Sequence, residues 1–253
     1  MVSDSDLLLS YYIGLDLGQS QDYTALAVIE EPVWVGRVSE RYLGNRPGGW
    51  ISPAELHPDI YWRILEDVEE YGRPPNPPLY VRHLERLPLG TRYSRVIERV
   101  LEIAQARPLA DKPSCLIIDR GGVGASVVDS FVYAGLTPVS VAIHGGDAVT
   151  VDPDRWDIRV PKRDLVSAAQ VLLQNRCLRV AEGLREAETL KRELLNFRVK
   201  IDPRTAHDSY SHWREDEHDD LVLATALACW FREWWNARWE EHYSREEASR
   251  MVG

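Results

Sequence analysis

The chain has 253 residues, of which 44% are hydrophobic, and its formal net charge is −10. This length suits one large domain or two small ones, and the apolar content is enough for a sizeable core. The acidic balance excludes a surface coated uniformly in positive charge, although a local basic groove for nucleic acid stays compatible with it. The three cysteines lie far apart in apolar runs, which predicts buried, reduced thiols.

The sequence shows no sign of secretion or of a membrane span. Residues 1–10, MVSDSDLLLS, lack the basic start and long apolar run of a signal peptide. No segment reaches the roughly 18 apolar residues that a membrane helix needs. We therefore expect a soluble protein that is not secreted, with no membrane partner and with a flexible N-terminus over residues 1–10.

The N-terminal part of the chain indicates antiparallel strands. Residues 11–17 and 23–30 are rich in β-forming residues around a GQSQD turn, and residues 33–45 alternate well enough to be a third strand. Residues 46–78 are rich in Pro and Gly around a short helical patch, which predicts an insertion or an irregular connection. Residues 79–86 predict a further strand or an extended arm.

The rest of the chain alternates between helices and strands. A helix is expected at about 92–107, and residues 114–120, SCLIIDR, predict a buried central parallel strand. Further predictions, in chain order, are a helix ending at Gly135, a strand in TPVSVAIHG, a helix in VPKRDLVSAAQVLLQN, a strand in CLRVA, a helix in LREAETLKRELLNF, a β-hairpin in FRVKIDPRTAHDSYSHW and a last helix in HDDLVLATALACWFREWWNARW. This order predicts an α/β fold, in which an antiparallel β-meander precedes parallel βα units and helices cover both faces of a mixed sheet. The polar tail, residues 241–253, is expected to fray.

Acidic residues stand where two strands end and where the last helix begins. Asp16 lies in the first strand, Asp119 ends the buried strand, and Asp219 and Asp220 open the last helix. Taken alone, Asp16 is explained equally well as a turn residue, and the Asp219–Asp220 pair is better explained by helix capping. Ligand sites of α/β sheets gather at the carboxyl ends of strands, so a last helix packed on the sheet would bring these acids together.

The combination of these acids predicts a metal site. Converging carboxylates repel one another and are hard to keep ionised without a cation. Oxygen ligands of this kind suit Mg²⁺ or Mn²⁺. Two such ions can stabilise both the attacking and the leaving oxygen of phosphodiester hydrolysis, which makes nuclease chemistry the expected use of the site.

Five segments, in this order, resemble a known family: YIGLDLGQSQDYTALAVIEE, LIIDRGGVGASVVDSF, VPKRDLVSAAQVLLQNRCLRV, LKRELLNFRVK and HDDLVLATALA. They cover most of residues 11–230, and the chain resembles the C-terminal nuclease domain of the bacteriophage large terminase. The resemblance implies an RNase H-like nuclease domain over residues 11–240. It implies an endonuclease that cuts double-stranded viral DNA during genome packaging, in the cytoplasm of the infected bacterial host.

The resemblance also implies roles for single residues. Asp16 falls on the first metal ligand of the family, Asp119 on the second acid and Asp220 on the third, with Asp219 as a close partner. These acids would hold two divalent ions, Mg²⁺ or Mn²⁺, with Asp16 between them. The implied partners are double-stranded DNA, the terminase ATPase motor domain, the small terminase subunit and the portal protein.

Residues around the acids are candidates for auxiliary roles. Asp22 matches an acid in the first hairpin of the family, and His218 could tune proton transfer or be no more than a capping neighbour. Basic residues near the acids and in the hairpin are candidate DNA contacts: Arg120, Lys162, Arg163, Arg198, Lys200 and Arg204. Arg120 could instead pair with a neighbouring acid, and Arg163 could be a solvated surface residue.

Other classes of function stay open at the level of sequence. No G-x-x-x-x-G-K-[ST] loop occurs, so the chain is expected to be an excised domain or a stand-alone nuclease, and the sequence gives no ground to predict ATPase activity. DLGQSQDYTAL and DRGGVGAS faintly resemble the phosphate loops of actin-like ATPases, although the segment after the second loop predicts a helix where that fold needs strands. A Holliday-junction-resolvase-like nuclease and an inactive structural module are further alternatives.

Overall fold

The computed structural model of the protein describes residues 7–18, 22–34, 78–112, 114–121, 125–152, 157–196, 199–201, 208–210 and 218–252. Most of the strand predicted at 33–45, and all but the last residue of the connection predicted at 46–78, lie outside these ranges. Within them, no helix combines the length and the apolar character needed to cross a membrane.

The strands are β1 (Leu7–Asp16), β2 (Ala25–Trp34), β3 (Leu79–Arg86), β4 (Ser114–Asp119), β5 (Val139–His144), β6 (Thr150–Asp152), β7 (Asp157–Pro161), β8 (Leu178–Val180), β9 (Val199–Ile201) and β10 (Asp208–Tyr210). The helices are α1 (Tyr93–Gln105), α2 (Ala125–Tyr133), α3 (Lys162–Gln174), α4 (Ala187–Asn196) and α5 (Asp220–Val252), with a 3₁₀ turn at Leu109–Asp111.

Eight of the strands form one mixed sheet in the order β6-β7-β5-β4-β1-β2-β3-β8, and β9 pairs with β10 as the predicted hairpin. β1, β2 and β3 form an antiparallel meander, whereas β4, β5 and β7 run parallel to β1. The predicted α/β arrangement is therefore confirmed. The third strand of the meander is β3, while the first two residues of the strand predicted at 33–45 belong to the end of β2.

Helices cover both faces of the sheet, as the sequence predicts. Successive side chains of a strand point to opposite faces. Ile13 and Leu15 of β1 pack in the core with α1 and α2. Ile117 of β4 packs in the core on the other face, with α3, α4 and α5. By the same alternation Asp119, two residues after Ile117, belongs to the face that α3 and α5 cover.

Gly14 marks the point where α5 comes close to β1. A Cβ atom built on Gly14 would lie 1.9 Å from the carbonyl oxygen of Ala224, which no real side chain could tolerate. The helix is buried on all sides from Asp220 to Arg232, which explains why its sequence has no polar stripe there. Arg232 donates through Nε to Glu31 of β2 at 2.9 Å, and this buried ion pair fixes the helix on the meander.

Trp230, Trp234 and Trp235 of α5 lie in the core or pack against it. Trp230 and Trp235 are buried, and the rings of Trp230 and Trp234 stack with centroids 5.5 Å apart. The rings of Phe231 and Trp235 stack as well, at 5.8 Å. These aromatic residues anchor the middle of α5 and so help to hold its first turn in place.

Among the described residues, β1 begins earlier and α5 ends later than the sequence predicts. Residues 7–10, expected to be part of a flexible N-terminus, are strand, because Leu7 and Leu9 pair with Trp34 and Pro32 of β2. At the other end α5 continues to Val252, through most of the tail expected to fray. Three Glu and two Arg residues in that tail favour a helix, as do Ala248 and Met251, so local propensity outweighs its polarity.

Two strands were missed because they are short and polar. β6 has three residues, TVD, and β7 has five, DIRVP, and the two pair antiparallel at the edge of the sheet. Neither gives a hydrophobic period long enough to recognise. β7 nevertheless matters for the site, because its last residue, Pro161, is also the residue that precedes α3.

Candidate active site

Asp16 and Asp119 end two neighbouring parallel strands and pair directly in their register. Paired residues of adjacent strands project from the same face, so both carboxylates lie at one end of the sheet, beneath α3 and α5. Each residue is 9% exposed. The main-chain N–H of Gly121 donates to Asp119 Oδ1 at 2.8 Å, which fixes that carboxylate at the strand end.

Asp219 and Asp220 reach the same place from the start of α5. Ala224, whose carbonyl oxygen lies against Gly14, is one helical turn beyond Asp220. This contact places the first turn of α5 at the carboxyl end of β1. After burial, repulsion from Asp119, Asp220 and Asp219 also raises the pKa of Asp16. The first turn of α5 thus lies toward the pair of Asp16 and Asp119, and the role of the four acids as metal ligands stays a prediction.

The acids of the site are costly to ionise. Burial, followed by repulsion from Asp119 and Asp220, raises the pKa of Asp16 well above its ordinary value. Burial also raises the pKa of Asp119, although main-chain N–H groups and nearby cations oppose the rise. Burial raises the pKa of Asp220 to about 6. Because the pKa values of all three carboxyl groups are raised, added positive charge would stabilise their ionised forms.

Two cationic side chains supply part of that charge. Lys162, the first residue of α3, donates through Nζ to Asp219 Oδ2 at 2.9 Å. Arg86, the last residue of β3, places Nη2 3.2 Å from Asp220 Oδ2. Lys162 was predicted as a DNA contact, and the structure shows that it is also a partner of the acid cluster. Arg86 was not predicted at all.

Glu193 of α4 is the second residue that the sequence analysis missed. Its Oε2 accepts hydrogen bonds from the main-chain N–H groups of Leu221 and Val222, at 3.0 and 3.1 Å. These N–H groups have no partner within the helix, so Glu193 caps α5 from a neighbouring helix. Its Oε1 pairs with Arg86. Burial raises the pKa of Glu193 to about 7.

The two auxiliary candidates lie near the third acid. His218 Nδ1 is 3.7 Å from Asp220 Oδ2, and its ring packs edge-on against Tyr23 with centroids 4.9 Å apart. Asp22 is exposed, and its charge contributes to the raised pKa of Asp220. Both residues are therefore close to Asp220 rather than to the strand end at Asp119.

The other basic candidates have acidic partners or fall outside the description. Arg120 donates to both oxygens of Asp157, at 2.8 and 2.7 Å, which is the alternative that its sequence context allowed. Arg163 donates to Asp147 Oδ1 at 2.7 Å. Arg198 and Arg204 are outside the described residues, as is the side chain of Lys200 in β9. Their contacts with DNA stay predictions.

The donor chemistry fits a divalent cation. The site holds carboxylate oxygens, which Mg²⁺ and Mn²⁺ prefer. Asp220 Oδ2 is buried and, although within ion-pair distance of Arg86, accepts a hydrogen bond from none of the described residues. In the described ranges no three acidic, histidine or cysteine side chains are grouped closely enough to surround one ion. The acids therefore offer suitable oxygens, although Asp219 pairs with Lys162 and Asp220 lies beside Arg86.

The raised pKa of Asp220 predicts how the stability of the metal-free protein changes with pH. Its pKa rises from 3.8 to about 6 on folding, so between about pH 4 and 6 the folded state holds a proton that the unfolded state has lost. Stability contributed by this group is complete below that window and is lost as the pH rises through it. Asp220→Asn cannot titrate, so its melting temperature in EDTA, relative to the unmodified chain, should improve as the pH rises through this range. A difference that does not change with pH would contradict the buried position of Asp220.

The strands form an antiparallel meander followed by parallel βα units, with Asp16 and Asp119 at the ends of β1 and β4. The structure is similar to that of the large terminase nuclease from the thermophilic phage G20c, with a TM-score of 0.50 and 17% sequence identity over 88% of this chain and 82% of that chain. This likeness establishes the fold, as the sequence resemblance implied.

Two further structures are less similar. The human cytomegalovirus terminase nuclease domain, soaked with manganese and bound to an inhibitor, gives a TM-score of 0.43 and 10% identity over 91% of this chain and 86% of that chain. The same domain soaked with manganese alone gives 0.42 and 10%, over 87% and 82%. No protein-family model matches the sequence, and no curated protein matches it significantly.

Proposed function

We propose that the protein is a metal-dependent endonuclease that cuts double-stranded viral DNA during genome packaging. The observation that carries this proposal is the register pair of Asp16 and Asp119, buried at the carboxyl ends of two parallel strands, with Asp219 and Asp220 brought to it by α5. The similarity in fold to a phage terminase nuclease agrees with it. The cytoplasm of an infected bacterial cell would be its place of action.

Asp16, Asp119 and Asp220 would hold two divalent ions, Mg²⁺ or Mn²⁺, with Asp219 beside them. When bound, the ions supply the Lewis-acid chemistry that phosphodiester hydrolysis requires. Asp16 is buried and repelled by each of the other acids, so bound divalent ions would stabilise its ionised form.

The chain would attract a DNA phosphate through the N-terminus of α3. α3 begins at Lys162 and α5 begins at Asp220, and the pairing of Lys162 with Asp219 joins these two helix starts. A helix N-terminus carries a partial positive charge and free N–H groups, which favour a bound phosphate. Lys162 adds a full positive charge, so α3 would help to orient the scissile strand over the acids.

The alternative of an actin-like ATP-binding module finds less support. That fold needs strands after its second phosphate loop, whereas the segment after Asp119 forms helix α2 over Ala125–Tyr133. In a terminase-like system the ATPase motor domain, the small terminase subunit and the portal protein would be the partners of this nuclease domain.

The proposal is tested by digesting supercoiled plasmid with the purified chain in Mn²⁺, in Mg²⁺ or in EDTA. We expect linear and shorter duplexes with either metal and intact plasmid in EDTA, because the acids need divalent ions to act on phosphate. Product ends are expected to be 5′-phosphate and 3′-hydroxyl. Cutting that persists in EDTA would contradict the metal dependence, and ATP binding without any cutting would favour the actin-like alternative.

A further inference from the structure

Arg86 lies between two carboxylates at the edge of the acid cluster. Its Nη2 pairs with Glu193 Oε1 and is 3.2 Å from Asp220 Oδ2. The ring of Tyr23 lies against the guanidinium, 4.7 Å from its central carbon to the ring centroid. The side chain is only 16% exposed, so this charge is fixed in place and poorly screened by water.

The two contacts of Arg86 are unequal. With Glu193 it makes a hydrogen bond, whereas with Asp220 it makes an ion pair that lacks hydrogen-bond geometry. Arg86 Nε is buried and finds no acceptor among the described residues, and Asp220 Oδ2 accepts no hydrogen bond from them either. Arginine and carboxylate commonly form two parallel hydrogen bonds, and this pair leaves that arrangement unmade. Asp220 is therefore neutralised by Arg86 but is not locked to it.

Glu193 is held independently of Asp220. Its second oxygen accepts the main-chain N–H groups of Leu221 and Val222, so its position follows from the start of α5. A carboxylate anchored in this way can keep Arg86 in place even when Asp220 turns to another cation. Arg86 is thus a cation with two carboxylate partners. Glu193 holds it firmly, whereas Asp220, an expected metal ligand, holds it loosely.

We propose that Arg86 is a built-in counter-cation for Asp220 in the metal-free protein, and that Glu193 retains Arg86 when a divalent ion takes Asp220. Arg86 and Glu193 are then positioning residues that set how readily the site accepts an ion, and neither contacts the reacting atoms. This inference rests on the proposed function, because it requires a divalent ion at Asp220.

The competition is measured by titrating Mn²⁺ into the full metal-free chain and following the heat of binding. Arg86→Gln removes the competing charge, and Mn²⁺ is expected to bind about tenfold more tightly, as for removal of one nearby unit charge from a partly hydrated site. Arg86→Lys keeps the charge and should bind Mn²⁺ much as the unmodified chain does. An Arg86 that served only as scaffold would give weaker binding in both variants.

Glu193→Gln is expected to act in the opposite direction. The amide oxygen of the new side chain can still accept from Leu221 and Val222, so the cap on α5 is kept while the charge is lost. Arg86 then has Asp220 as its main carboxylate partner, and Mn²⁺ should bind several-fold more weakly. Unchanged or tighter binding in this variant would overturn the proposal, and it does so even if Arg86→Gln fails to fold.

A double variant shows whether Glu193 changes Mn²⁺ affinity through Arg86 or simply through its own negative charge. If Glu193 acts on the ion through Arg86, Glu193→Gln will not change Mn²⁺ affinity once Arg86→Gln is present. Additive effects would overturn the proposal. Arg82→Gln is the matched control, because Arg82 lies in the same strand and pairs with Glu30 instead. Its Mn²⁺ affinity should equal that of the unmodified chain, and an increase like that of Arg86→Gln would also count against the proposal.

Failure of this inference can be told apart from failure of the proposed function. If the unmodified chain does not bind Mn²⁺, the metal-dependent nuclease and the inference both fall. If it binds Mn²⁺ and Asp16→Asn loses that binding, the metal centre stands. In that case an Arg86→Gln variant without tighter binding overturns the role of Arg86 alone.

Discussion

Asp16→Asn is expected to abolish DNA cutting and, at the same time, to raise the melting temperature of the metal-free protein. Cutting should fall by roughly 10³-fold or more, as when one member of a group that acts as a unit is removed. Stability should rise because the pKa of Asp16 is raised by burial and by repulsion from Asp119 and Asp220. Above its unfolded-state pKa, the ionised group therefore costs folding free energy, and the amide removes that cost.

The test compares plasmid digestion in Mn²⁺ with thermal melting in EDTA at pH 7. Asp129→Asn is the matched control, since Asp129 is exposed in α2 and the substitution changes the charge by the same amount. It should leave both readings unchanged. Full cutting by Asp16→Asn would overturn the metal-site assignment. Lost cutting with a lower melting temperature would show instead that Asp16 supports the fold.

Gly14→Ala is expected to destabilise the fold strongly. The added Cβ would lie 1.9 Å from the carbonyl oxygen of Ala224 and 3.3 Å from the Cβ of Ala228. Neither strand nor helix can shift freely, because β1 is a central strand and α5 is buried around this contact. The cost should be about 3 kcal/mol or more, at the upper end of the range for overpacked sites.

Urea unfolding measures this cost, and Gly183→Ala is the control. A Cβ on Gly183 would meet no atom within 4 Å, so this variant should stay within about 0.5 kcal/mol of the unmodified chain. If Gly14→Ala unfolds at the same urea concentration as the control, α5 does not approach β1 as closely as the structure has it. The position of Asp220 over the sheet would then need revision.

The parts of the fold that the sequence predicts are those with a long or a strongly apolar signal. β4 is recognisable because SCLIID is a continuous apolar run that ends in an acid, and the start of α5 because HDDLVLATALA places two acids before an apolar helix. The acid pair of Asp16 and Asp119 follows from these elements, since parallel neighbours end at the same edge of a sheet. The number of residues between Asp16 and Asp119 does not matter here, because the pairing of their strands brings them together.

The part of the site formed by Arg86 and Glu193 could not be predicted in this way. Arg86 and Glu193 are 107 residues apart, and neither stands at a strand or helix position that is unusual for a charged residue. Their meeting depends on how α4 packs beside the start of α5, which no local pattern encodes. The same reason applies to Arg120, whose partner Asp157 belongs to the short strand β7 that the sequence analysis missed. Charge pairs between distant elements become visible only in three dimensions.

Because Asp16 pairs directly with Asp119, the main-chain hydrogen bonds between β1 and β4 set the distance between the two acids. A slip of one residue between β1 and β4 would turn Asp16 toward the opposite face and bury it among the apolar side chains beneath α1 and α2. Insertions beyond the strand ends carry no such penalty. Changes of loop length should therefore be tolerated, while a single-residue insertion or deletion inside β1 would disrupt the pairing of the two acids.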